Sequence, residues 1–328
     1  MEKETNIVRV GLTQVCNKSP VLSSVKSLDS KEVSSIQRSI YDKLISLIYA
    51  AKSEGCKIVC LNELCNAPYF AISEYNPQWL KFAQDCETGE ASEVFRLLSK
   101  ELNILIIAPL YEHTKEDKYY NTTLLFENGV LMGKSRKTNI PFGKNEKGMF
   151  TEKDYYRASD DPTVNAQLSC VNTAVSSFLP VFNTKYAKVG INTCYGRHFP
   201  ENWRVLKRGG AEVVFCPSVT FGAVSERVWE YEIPTVAVWN EIFVCASNRT
   251  GIEFPDKQAP NYFGKSYVVD PCGNKLKLTK KTFDDDSLII ADLDLALVGS
   301  NPSGWHLEDD QREDILLSLF KDGAPKRI

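Results

Sequence analysis

Four short runs of this chain are apolar at nearly every position, and that continuity restricts the fold more than any other feature. The runs are KIVCLNE (57–63), ILIIAPL (104–110), EVVFCP (212–217) and IFVCASN (242–248). A strand with one face in water alternates apolar and polar side chains, whereas a strand covered on both faces does not. Between the runs the period changes. Val33, Ile36, Ile40, Leu44, Leu47 and Ala51 recur at helical spacing before Gly55, after a strand-like VRVGLTQ (8–14). Further helices are predicted around 90–101, from Pro200 to about Arg208 and over 225–240, with KVGINTC (188–194) as another strand. Buried strands alternating with helices define the α/β class.

Two hairpins punctuate the alternation. Asn128-Gly129 sits between TTLLFE and VLMGKSRK, and Pro271 with Gly273 marks a turn inside YVVDPCGNKLKLT. Each half thus runs from βα units to a hairpin, a pattern that hints at a two-sheet sandwich with helices outside. No Gly-, Ser- or Pro-rich linker separates the halves, so one domain is expected over residues 1–328. Residues 138–183 are less periodic and are expected to form long loops of the kind that line sites.

The partner expected for such a chain is a small molecule. Net charge is -3 with acidic and basic residues interleaved, which leaves no electrostatic footprint for nucleic acid or a membrane surface. No run approaches the roughly 18 apolar residues of a membrane span, and MEKETNIVRVGLTQ lacks a signal-peptide core. Many of the 10 cysteines lie within apolar runs, as reduced, buried thiols do. A cytoplasmic location is expected.

Three strand candidates end on a reactive side chain: Glu63, Lys137 and Cys194. Ligands of open α/β sheets bind at the carboxyl ends of strands, where a base, a cation and a thiol together make a nucleophilic site. A free thiol is mostly protonated at neutral pH, so a carboxylate must take its proton and a cation must hold the oxyanion formed on attack. Taken singly, each residue has an ordinary alternative, a packed thiol or a solvated strand cap. Metal ligation is disfavoured: His113, His198 and His306 are the only histidines, and no HxH, HExxH or CxxC occurs. Neither GxSxG nor a phosphate-binding glycine loop is present, so no cofactor is expected. A Cys194–His198 pair stays open, as does His198 as a substrate contact.

NELCNAPYF (62–70), GKSRKTNIP (133–141) and INTCYGRHFPENW (191–203) resemble the three signature regions of the nitrilase superfamily of carbon-nitrogen hydrolases. GGAEVVFCPS (209–218), SNRTG (247–251), FGKSYVVDPCG (263–273) and LIIADLDL (288–295) look like further landmarks in the family's order. The resemblance implies a four-layer αββα sandwich assembled as a homodimer or larger homo-oligomer. It implies Glu63 as general base, Cys194 as nucleophile, and Lys137 with the Tyr195 backbone N–H as oxyanion holders. Glu152 looks like the family's second glutamate, and Arg197 and His198 fall where substrate is bound. Arg197 stands where carbamoyl-amino-acid hydrolases place a carboxylate-binding arginine, a role its planar fork suits.

Within the superfamily, CYGRHFPENW is most similar to the β-ureidopropionases, which hydrolyse N-carbamoyl-β-alanine to β-alanine, ammonia and carbon dioxide. Phe199 departs from that pattern, standing where a second histidine is often found. N-carbamoylputrescine, an ω-amide or a nitrile are alternative substrates of the same site. An acyl transferase or a catalytically silent scaffold are the alternatives of another class.

Overall fold

The computed structural model describes residues 6–299, 304–305, 307–312 and 314–315; His306 lies outside them. The first half builds a strand, β1 (Ile7–Gln14), then helix α1 (Ser30–Ser53), β2 (Ile58–Cys60), α2 (Glu90–Leu102) and β3 (Leu105–His113). Asp29 caps α1: its side chain accepts from the Lys31 and Glu32 N–H groups while Glu32 reaches back to the Asp29 N–H. This reciprocal capping satisfies donors that the helix cannot pair internally. The apolar positions expected to face inward, Val33 through Ala51, are all buried.

β4 (Tyr119–Glu127) and β5 (Val130–Arg136) follow as the expected hairpin. Asn128 and Gly129 both take positive φ, 48° and 80°, as a two-residue turn matched to strand twist requires. The less periodic stretch holds a small ribbon, β6 (Gly143–Asn145) with β7 (Gly148–Phe150), and then β8 (Val171–Asn172) and β9 (Val181–Asn183).

The second half repeats the βαβαβ order with β10 (Lys188–Ile191), α3 (Pro200–Arg208), β11 (Val213–Ser218), α4 (Ala223–Asn240) and β12 (Phe243–Asn248). β13 (Thr250–Ile252) pairs with β14 (Asn261–Phe263), and β15 (Tyr267–Val269), β16 (Thr279–Phe283) and β17 (Asp286–Asp294) complete the described strands.

Two sheets result, in the orders β16-β17-β1-β2-β3-β4-β5 and β15-β12-β11-β10-β9-β8. β1, β2 and β3 are mutually parallel, as are β10, β11 and β12. Three apolar clusters identify the layers. One joins α1 and α2 to the first sheet through Ile40, Leu44, Phe95 and Ile106. A second lies between the sheets, with Val10, Ile58 and Ile107 meeting Val189, Val213 and Phe215. The third joins the second sheet to α3 and α4 through Val214, Trp203, Trp229 and Ile233. The order is α-β-β-α, as expected.

The second hairpin differs from the sequence reading. The turn at Asp270–Asn274 forms, but only Val269 and Lys275 bridge, and β16 then pairs with β17 in the other sheet. Leu276 and Leu278 pack against the core between the sheets, so the chain crosses the sandwich edge there instead of extending the hairpin.

Candidate active site

Glu63, Lys137 and Cys194 are far apart in sequence and come from both sheets. Glu63 lies three residues beyond β2, Lys137 directly follows β5, and Cys194 lies three residues beyond β10 at the start of a tight 3-10 turn, Cys194–His198. The parallel strands of both sheets end on the same side, which places their loops together.

The site is held by a chain of charge-assisted bonds. Lys137 Nζ donates to Glu63 Oε1 at 2.7 Å and to Glu152 Oε2 at 2.6 Å. Asn121 Nδ2 also donates to Glu63 Oε1 at 2.7 Å, and the Val219 N–H donates to Glu63 Oε2 at 2.8 Å. Val219 also meets the thiol, since Cys194 Sγ donates to its carbonyl at 3.7 Å. One peptide segment thus touches the carboxylate and the sulfur. Tyr69 Oη donates to Glu152 Oε1 at 2.7 Å. The structure therefore brings Glu152, from the less periodic stretch, together with Glu63 and Lys137.

Burial governs the electrostatics. Lys137, Glu63 and Glu152 are nearly solvent-free. Burial works against the Lys137 ammonium, but Glu152 and Glu63 outweigh it and hold the pKa above the ordinary lysine value. Burial pushes the Glu152 carboxyl up, Lys137 opposing and Glu63 assisting. Burial, and then the Glu63 charge, push the Cys194 thiol well up, with Lys137 and Arg197 opposing. Both influences favour the protonated thiol, and forming a thiolate calls for an immediate proton acceptor. Cys194 itself has φ 48°, a strained conformation for a residue with a Cβ.

Cys194 and Glu152 face a cavity of about 90 Å³ whose wall also includes Tyr195, Arg197, His198, Phe150 and Thr220. A broader basin of about 930 Å³ lies beyond the β6–β7 ribbon, walled by Lys147, Met149 and Ala223. Arg197 is buried; its Nη1 donates to the Cys194 carbonyl at 3.1 Å and its Nε lies 3.2 Å from Glu232 Oε2 without a hydrogen bond. His198 Nδ1 is 2.5 Å from Glu232 Oε1, so the histidine is engaged by a carboxylate and the thiol's bond goes to Val219 instead. His113 pairs with Asp117.

Sequence reading did not assign roles to Asn121, Val219, Tyr69 or Glu232. Tyr69 lies inside NELCNAPYF, a motif that was recognised without a role for this residue. Asn121, Val219 and Glu232 carry no local signal, because their contacts join segments more than 20 residues apart.

A buried lysine between two carboxylates beside a protonated thiol is an arrangement for acyl chemistry: a proton can leave the sulfur, and a cation faces any oxyanion formed there. Comparisons agree. The chain is 31% identical to the β-ureidopropionase of Arabidopsis thaliana, across 97% of this chain and 74% of that protein. It is 28% identical to a citrullinase of Francisella tularensis, across 83% and 90% of the two chains. The crystal structure of a carbon-nitrogen hydrolase from Helicobacter pylori G27 superposes with a TM-score of 0.76 at 23% identity, covering 96% of this chain and 99% of that one, and shares the fold. The profile of the carbon-nitrogen hydrolase family matches residues 24–302. With its fold, its clustered side chains and this match in agreement, the chain belongs to the carbon-nitrogen hydrolase family, within the nitrilase superfamily, and acts on carbon-nitrogen bonds other than peptide bonds.

Proposed function

We propose that the substrate is N-carbamoyl-β-alanine, hydrolysed to β-alanine, ammonia and carbon dioxide through a thioester on Cys194. The observation that carries the substrate reading is Arg197 in the wall of the cavity that Cys194 faces. Its planar fork suits bidentate binding of a substrate carboxylate. The similarity to the Arabidopsis β-ureidopropionase along nearly the whole chain supports the same reading.

In this mechanism the Cys194 sulfur attacks the ureido carbon as its proton passes to Glu63. The carbonyl electron pair moves to oxygen, where Lys137 Nζ and the Tyr195 backbone N–H hold it. Collapse expels the terminal nitrogen as ammonia, which takes the proton from Glu63. Water, deprotonated by Glu63, then attacks the carbamoyl thioester and frees the thiol. The released carbamate decomposes to carbon dioxide and β-alanine. Glu152 keeps the Lys137 ammonium charged and aimed at the reacting carbon.

Glu232 favours a second reading. Its carboxylate pairs with Arg197 and contacts His198, which engages the cation an anionic tail would need and leaves the cationic tail of N-carbamoylputrescine unopposed. Ammonia release by the wild-type protein and by Cys194→Ala separates the two, with N-carbamoyl-β-alanine, N-carbamoylputrescine, citrulline and glutaramate run in parallel. Release from N-carbamoyl-β-alanine above the others, absent in Cys194→Ala, is the expected result. Preferential turnover of another compound replaces the substrate while keeping the site. Undiminished activity in Cys194→Ala removes the nucleophile.

We also place the protein in the cytosol, a reading supported by its 10 cysteines, none of which is paired in a disulfide.

A further inference from the structure

A second buried ion pair lies outside the cavity. Arg249 and Glu253 both have side chains with 0% exposure, and Arg249 Nη1 donates to the two Glu253 oxygens at 2.6 and 2.7 Å. A buried charge is tolerated only when its remaining donors are satisfied, so their destinations are informative. Nη2 donates to the carbonyls of Glu63 and Leu64, each at 2.7 Å, and of Ala67 at 2.9 Å. Nε donates to the Glu63 carbonyl at 3.2 Å. All three carbonyls belong to the turn that presents Glu63. Leu64 in that turn has φ 51°, a conformation unfavourable for leucine that surrounding contacts must impose.

Glu253 acts on the other end of the same segment. Its Oε2 accepts from the Tyr69 N–H at 2.7 Å, and its Oε1 accepts from the Asn17 N–H at 3.0 Å. Tyr69 in turn directs its hydroxyl to Glu152. One ion pair therefore reaches both carboxylates that flank Lys137, through backbone carbonyls to Glu63 and through Tyr69 to Glu152.

We propose that Arg249 and Glu253 are positioning residues that set the Glu63 and Glu152 carboxylates around Lys137. The inference rests on the reading above in which these groups serve the Cys194 thiol. A pair needed only for stability has no reason to concentrate its bonds on residues 63–69, and lysine, with a single nitrogen, cannot span three carbonyls and a carboxylate together.

The test uses the full chain with Tyr69→Phe, Glu253→Gln and Arg249→Lys, and Glu63→Gln as control. The first readout needs no substrate: the rate of Cys194 alkylation by iodoacetamide against pH, followed on the Cys194 peptide by mass spectrometry. The second is kcat and KM on whichever carbamoyl compound the protein turns over. For Tyr69→Phe and Glu253→Gln the expected result is a displaced alkylation profile, with kcat lower by about tenfold or more and KM within about threefold. Arg249→Lys is expected to lose more than either. Alkylation profiles of Tyr69→Phe and Glu253→Gln that superpose on wild type, whatever their melting temperatures, would overturn the proposal. A Glu63→Gln profile identical to wild type would instead remove Glu63 as the thiol's base, which separates that failure from this one.

Discussion

Lys137 is the residue on which the site's charge balance turns, since it is the cation shared by two solvent-free carboxylates. Lys137→Met leaves Glu63 and Glu152 facing each other without it. Activity is expected to fall on the order of 100-fold or more through loss of the oxyanion partner. Stability at neutral pH is expected to drop by about 3–5 kcal/mol, the usual consequence of breaking a buried pair. The pH dependence has a definite sign. Lys137 opposes the upward shift of the Glu152 carboxyl, so its removal drives that pKa further above the unfolded value. A group with a raised folded pKa favours folding in acid, and that contribution is lost as pH rises through the folded value. The gap in urea midpoint between wild type and Lys137→Met should therefore widen as pH rises from the ordinary carboxylate range toward neutrality. An equal gap across that range would show that Glu152 does not hold its proton in the variant. Glu63, Lys137 and Cys194 could be singled out from sequence because each stands at the end of a strand candidate. Glu232 could not, because a glutamate on a helix looks the same whether it meets water or, as here, an arginine and a histidine.

Among the elements, the turn Cys194–His198 bears most directly on reactivity. Asn192 and Asn202 both donate to the Gly196 carbonyl, at 3.2 and 3.3 Å, and tie the turn to β10 and α3. A side chain at 196 would overlap the Asn192 side-chain oxygen. Gly196→Ala must therefore move Asn192 or the turn, and displacement of a nucleophile by about 1 Å costs on the order of 100-fold in rate. The expected outcome is a large fall in kcat with an unchanged far-UV circular dichroism spectrum. Wild-type kcat in this variant would show that the turn absorbs the methyl group without moving the sulfur. Element types were readable where the apolar period was strong, as in α1 and β3. They were less so at 267–279, where the turn residues were correctly recognised but nothing local indicates that the strand after them pairs in the opposite sheet.

At the scale of the whole molecule, α4 shows an outward face that water does not favour. Val224, Tyr231 and Trp239 are 57%, 66% and 50% exposed, at spacings that place them on one side of the helix. A second copy of this chain is the occupant expected there, which is what the homo-oligomer implied by the sequence resemblance would require. Tyr231→Glu combined with Trp239→Glu should lower the mass measured by light scattering toward that of one chain, and an unchanged mass would move the contact elsewhere. The sandwich also has a consequence for the reaction itself. Glu63 and Lys137 ride on one sheet and Cys194 on the other, so the gap between the Glu63 carboxylate and the sulfur is a dimension of the layer separating them. Val189, Val213, Phe215 and their neighbours work as a spacer whose thickness sets that gap. Side chains that never touch substrate thereby gauge the reacting distance, and turnover becomes a ruler for how well the two sheets are seated on each other.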